Sequence, residues 1–287
     1  MVPTQKWRGV PAIAAFFLSG ATLVKATPLD QHGAALSVAT PTPIVLIPLT
    51  SFDSQTDFDK YWDYNYPWGT DHNGAARMNR SQVSLSPPPS SSGTSSNSSG
   101  SGTLTLTATR VAGQPAATHA NQAIAIHYLS GTVHARHNVV VKSPGGIVEV
   151  AGEYKAPVAR GTWPASWLTW AGGWPPEVDL AEWKGSGKIS FNTFNTSSAV
   201  AALDVAYPDP ERWHSVRVVM EDENGRDVAA RFFLDGRLAT TQYGKGFTGK
   251  EMYLILDLQM EGSSGSPGPQ GETTFRIRNF QVTSTIP

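Results

Sequence analysis

Residues 103–109 read TLTLTAT, with Leu104, Leu106 and Ala108 alternating with threonines. A period of two puts the apolar side chains on one face and the hydroxyls on the other, the pattern of a half-buried β-strand. On either side of it, β-rich runs recur at 44–47, 123–128, 139–141, 147–150, 216–220, 229–234, 252–258 and 275–282. Asn224-Gly225 and Asp235-Gly236 fall between such runs and signal tight hairpins, because both central residues of that turn need positive φ. No long stretch carries the apolar stripe of an amphipathic helix. Many short strands punctuated by turns predict an all-β fold, a two-sheet antiparallel β-sandwich.

The chain has 287 residues, 40% hydrophobic, with a formal net charge of −1. That length supports one large core. The near-zero charge offers no footprint for a polyanion, so neither nucleic acid nor an anionic membrane surface is expected as a partner. There is no cysteine; a domain this large does not need disulfides even outside the cell. Lys6 and Arg8 precede an apolar run over 10–24, and Val24-Lys25-Ala26 places small residues where a signal peptidase reads. The run is about 15 residues against the roughly 20 of a membrane span. Residues 1–26 are therefore expected to be a signal peptide cleaved after Ala26, giving a secreted, extracellular or cell-wall-associated protein. Sequons beginning at Asn79, Asn97 and Asn195 agree with that route. Residues 27–42 read as a disordered lead-in. The low-complexity run 86–102 (SPPPSSSGTSSNSSGSG) cannot bury enough apolar area to order itself. Too little chain precedes it for a cysteine-free domain, so it is expected to be a loop inside one domain spanning 43–287.

The chemistry concentrates in residues 161–185, GTWPASWLTWAGGWPPEVDLAEWKG. Five tryptophans, Trp163, Trp167, Trp170, Trp174 and Trp183, surround three carboxylates, Glu177, Asp179 and Glu182. Acidic side chains are costly in so apolar a run unless hydrogen-bonded or shifted in pKa. On a strand Glu177 and Asp179 share a face, whereas Glu182, five positions beyond Glu177, points away. One extra residue at Leu180-Ala181, a β-bulge, returns it to that face. The outer Cα atoms would then lie roughly 13 Å apart at about 3.3 Å per residue. Glutamates leaning inward could narrow the carboxyl gap to the 5–5.5 Å or so of retaining glycosidases. Like charges that close cannot all ionise at neutral pH, which suits one to stay protonated as an acid.

This block resembles glycoside hydrolase family 16, the laminarinase-like β-glucanases with their agarase and carrageenase relatives. The resemblance rests on E-x-D-x-x-E at Glu177–Glu182 after a G-x-W-P-A-x-W-like segment at 161–167. It continues through Tyr154-Lys155-Ala156-Pro157, Trp213-His214, the hairpin ending Phe233-Leu234-Asp235-Gly236 and the closing run 274–282. It implies a concanavalin A-like β-jelly roll and a retaining endo-hydrolase of a β-linked polysaccharide. A β-1,3- or mixed-linkage glucan is favoured, and a galactan-type polymer is the other choice. It further implies Glu177 as nucleophile, Glu182 as general acid/base and Asp179 as the residue that tunes them. The sequence departs from the pattern in lacking the usual His near Ser190–Asn195, and in carrying Leu256-Asp-Leu-Gln-Met-Glu-Gly where the family tends to have Asn-Leu-Ala-x-Gly-Gly. Both changes bear on substrate more than on reaction.

Candidate sugar-binding residues are Trp174 and Trp167 for stacking, Asn192 and Gln259 for hydroxyls, and Arg77, which falls where the family's early cleft-lining segment lies. Trp163 and Trp183 are expected in the core. His134 and His137 face opposite ways on a strand and are no metal pair. No metal ligand set and no cofactor is expected, although the resemblance allows a structural calcium that no carboxylate cluster here specifies. A monomer is expected. Two competing functions use the same scaffold: a cell-wall transglycosylase with the same residues, and a non-catalytic lectin-like module, which would gain nothing from three clustered carboxylates.

Overall fold

The structure, a computed structural model, describes residues 42–88 and 101–286. The expected signal segment, nearly all of the lead-in and most of the low-complexity run lie outside them. Two large sheets pack face to face as a β-jelly-roll sandwich. The sheet that bears the cleft has seven strands: β1 (Trp62–Tyr64), β2 (Thr132–Ala135), β3 (Thr162–Trp170), β4 (Glu177–Glu182), β5 (Lys188–Phe194), β6 (Val200–Ala206) and β7 (Met252–Met260). They lie in the order β6-β5-β4-β3-β7-β2-β1. The opposing sheet has ten strands and centres on Ile147–Lys155, Thr273–Thr285 and Thr103–Arg110. Its pairings are antiparallel except where Ala76–Met78 runs parallel to Tyr128–Ser130.

The alternation in Thr103–Arg110 is realised: Leu104, Leu106 and Ala108 are fully buried and the threonines between them half-buried. Leu104 and Leu106 lie opposite Ile277 and Phe275 of the neighbouring strand, and all share one core with Phe280 and, from the other sheet, Val178, Leu180, Phe191, Leu254 and Leu256. Trp183 sits in this core within 5.5 Å of Phe275 and 5.3 Å of Tyr207, ring centre to ring centre. Asp235 and Gly236 take φ of 48° and 76° and turn Val228–Leu234 into Arg237–Gly244, the left-handed geometry a tight hairpin requires. Ser86 pairs with Thr103, so the low-complexity run leaves and re-enters one sheet at adjacent strand ends.

Two expected strands differ. Val139–Val141 is not a strand: Val139 alone makes a bridge, to Met252. The 123–128 run divides, Gln122–Ile124 pairing with Ala117–His119 in a small hairpin while Tyr128–Ser130 joins the ten-stranded sheet. The central strands β3 and β7 show no alternation, because both their faces are covered, one by the core and one by the aromatic groups of the cleft.

Candidate active site

Pairing across β3 to β7 arranges the cleft floor in rows. Phe194, Glu177, Thr169 and Tyr253 lie opposite one another on β5, β4, β3 and β7. Asn192, Asp179 and Trp167 form the next row, and Ser190, Glu182, Ala165 and Asp257 the one after. Between Asp179 and Glu182 the register slips: Ser166 faces Ala181 and Trp167 faces Asp179, leaving Leu180 unpaired. The same slip appears against β5. This β-bulge puts Glu177, Asp179 and Glu182 on one face, and all three line a cleft of about 1110 Å³.

The carboxylates are held differently. Asn192 donates from Nδ2 to Asp179 Oδ2 and to Glu182 Oε2, both at 2.8 Å. Glu182 also accepts from Trp163 Nε1 at 2.6 Å and pairs with Lys184 Nζ at 3.0 Å. Burial, then the charge of Glu182, pushes Glu177 up to about 8. Burial pushes Asp179 well above the usual carboxylate range, with Glu182 and Glu177 adding to it. Burial works against the Lys184 ammonium, but the charge and hydrogen bond of Glu182 still hold it above its ordinary value. Such a row favours one retained proton over full ionisation.

The shift of Asp179 has a consequence for stability. Its folded pKa lies above its unfolded one, so the group favours the fold at low pH and that contribution is lost as pH rises toward the folded value. Asp179→Asn removes the effect. Against wild type, the variant is expected to gain stability between about pH 4 and about pH 8, by at most about 1.4 kcal/mol per pH unit. Urea midpoints at the two pH values measure it, and the absence of any relative gain would show Asp179 ionised in the native cleft.

The sugar-binding candidates fall in different places. Trp174 is 53% exposed and lines the cleft beside Phe194. Trp167 also lines it but is nearly buried, stacked at 5.6 Å on His72 and donating Nε1 to Asp257. Asn192 lies under the carboxylates, its amide N–H groups occupied by Asp179 and Glu182. Gln259 reaches the cleft edge, yet its oxygen accepts from Ala76 N at 2.8 Å and Met260 N at 2.9 Å. Its amide thus ties the 75–76 segment to β7. Arg77 is engaged by Asp71 through two bonds of 2.8 and 2.9 Å, and it is Asp71 that lines the cleft. Trp163, expected in the core, instead lines the cleft and holds Glu182, because alternation along β3 puts it on the face it shares with Ala165, Trp167 and Thr169.

Sequence reasoning missed Trp68, His72, Lys184 and Asp257, all cleft-lining. Trp68 and His72 come from a loop without periodicity, and only aromatic density could have flagged them. Burial, then the nearby His119, lowers His72 to about 4, so it stacks as a neutral ring. Lys184 was visible as a cation two residues past the acidic motif, and Asp257 as part of the departure at β7. Among the described residues no group of three or more His, Asp or Glu could hold a metal ion, and no helix is long and apolar enough to cross a membrane.

No family model matches the chain. It is similar to a galactan endo-beta-1,3-galactanase of Flammulina velutipes, 47% identical over 242 residues, covering 84% of this chain and 90% of that protein. Among solved structures it resembles the endo-1,3-beta-glucanase of Streptomyces sioyaensis, at a TM-score of 0.62 and 19% identity over 91% of this chain and all of that one. The laminarinase catalytic domain of Thermotoga maritima follows at 0.58 and 15%, over 83% of this chain and 96% of that one. The jelly roll, the cleft with its carboxylate row and the galactanase relative converge: the chain belongs to glycoside hydrolase family 16 and is an endo-acting hydrolase of β-linked polysaccharide.

Proposed function

We propose that the protein is a secreted, monomeric endo-β-1,3-galactanase that works with retention of configuration and without a cofactor. The observation that carries the galactan reading is the relative 47% identical over 242 residues, which is a galactan endo-beta-1,3-galactanase. The structural neighbours named as glucanases share the fold at under 20% identity, so they weigh less on substrate. Secretion is supported by the charged and apolar pattern of residues 1–26.

In this reading Glu177 attacks the anomeric carbon, and Glu182 protonates the departing oxygen and later activates water. Attack needs Glu177 ionised, whereas burial and the charge of Glu182 push it up to about 8. Catalysis therefore requires the proton of the row to lie elsewhere than on Glu177 at the moment of attack. Asp179 lies between the two and shares the Asn192 amide with Glu182, which suits it to set where that proton goes. Trp163 and Lys184 fix the Glu182 carboxyl while it changes charge.

The test is release of reducing ends from β-1,3-galactan, laminarin, lichenan, agarose and carrageenan by purified protein. Cleavage of β-1,3-galactan into a ladder of oligosaccharides supports the reading. Activity on laminarin alone would return the assignment to the glucanases. Elongated products with added acceptor oligosaccharide would favour transglycosylation.

A further inference from the structure

Glu182, Ala165 and Asp257 lie opposite one another on β4, β3 and β7, and all three line the cleft. Neighbouring strands are about 4.8 Å apart, which puts the two acidic Cα atoms about 10 Å from each other, roughly the width of a pyranose with its hydroxyls. Ala165 between them is small, and Trp163 and Trp167 flank it two positions away on the same strand, both facing the cleft. The floor therefore has a recess bounded by two indoles and two carboxyls.

Asp257 is only 3% exposed, yet it borders this recess. Its Oδ2 accepts from the Tyr66 hydroxyl at 2.7 Å and its Oδ1 from Trp167 Nε1 at 3.0 Å. Those two donors lock the carboxyl in place. A carboxylate offers about four acceptor sites, so capacity remains for a third donor arriving from the cleft. Glutamate roles assigned to Glu177 and Glu182 leave Asp257 without a task in bond cleavage.

We propose that Asp257 is a specificity-determining residue that accepts a hydrogen bond from the axial hydroxyl by which galactose differs from glucose. This rests on the galactanase reading. A pyranose lying along the floor directs its equatorial hydroxyls outward to the walls. An axial hydroxyl stands off the ring plane and can enter the recess over Ala165. A site that accepts a bond from this hydroxyl favours the sugar that carries it over the one that lacks it, since the latter gives up that bond on leaving water.

The experiment compares kcat/KM for matched β-1,3-galacto- and β-1,3-gluco-oligosaccharides in wild type and Asp257→Asn, and adds a galacto-oligosaccharide deoxygenated at the axial position for wild type alone. Wild type is expected to prefer the galacto-series and to lose about 10- to 100-fold on the deoxygenated substrate. Asp257→Asn should lose a similar factor on the galacto-series while changing far less on the gluco-series, so that the preference collapses. Equal losses on both series would show that Asp257 only holds Trp167, and would overturn the proposal. Undiminished cleavage of the deoxygenated substrate would overturn it even if the variant failed to fold. Wild type inactive on the galacto-series would instead bring down the galactan reading, and this inference with it.

Discussion

Glu177→Ala is expected to lower kcat on β-1,3-galactan by at least about 10⁴-fold, the scale seen when a covalent nucleophile is removed. The residue sits in a row with Thr169 and Phe194, at the end of the carboxylate line nearest Trp174. Truncation leaves a hollow open to the cleft, with Glu182 and its three donors intact. Azide can enter that hollow and attack an activated galactoside from the side Glu177 occupied. The product is then a glycosyl azide of inverted configuration. Full residual activity in the variant would place the nucleophile elsewhere.

Glu182→Ala should fail in another way. Loss of the proposed proton donor is expected to cost about 10²- to 10⁴-fold on polysaccharide, whose leaving oxygen is a poor one. An aryl galactoside with a good leaving group needs little protonation and should still form the covalent intermediate. Azide then attacks from the water side and returns a product of retained configuration. The substitution also strips Trp163, Asn192 and the partly buried Lys184 of a shared acceptor. Glu182→Gln, which keeps one acceptor oxygen for Asn192 and Lys184 while giving up the Trp163 bond, separates lost protonation from most of the lost positioning: both variants should show the same leaving-group dependence. If the two glutamate variants gave each other's stereochemical products, their roles would have to be exchanged.

Legibility of the fold depended on how many faces of a strand are covered. Thr103–Arg110 alternates because one face meets the core and the other is partly open, so its period of two could be read directly. Strands β3 and β7 are buried on both faces and carry no such signal; β3 was recognisable only through its tryptophans and Pro164. The Val139–Val141 run misled because three adjacent valines fit a strand by composition, while their neighbours offer a single bridge at Met252. The bulge at Leu180 followed from spacing alone, since three carboxylates cannot share a face without it. What the spacing could not carry was partnership across the sheet. Asn192 and Gln259 look like free amides in the sequence, yet one clamps Asp179 to Glu182 and the other is bonded to the backbone of Ala76 and Met260. Trp68 and His72 approach the site from a loop far away in sequence, and only the folded chain brings them to Trp167, His72 stacked and Trp68 edge-on.

The central claim is double displacement by Glu177 and Glu182 on a β-1,3-galactan chain. Proton NMR of wild-type enzyme hydrolysing a β-1,3-galacto-oligosaccharide reads which anomer appears before mutarotation mixes the two. Double displacement predicts that the β-anomer forms first. Initial formation of the α-anomer would contradict it, because water would then have displaced the leaving group in a single step with no covalent intermediate on Glu177.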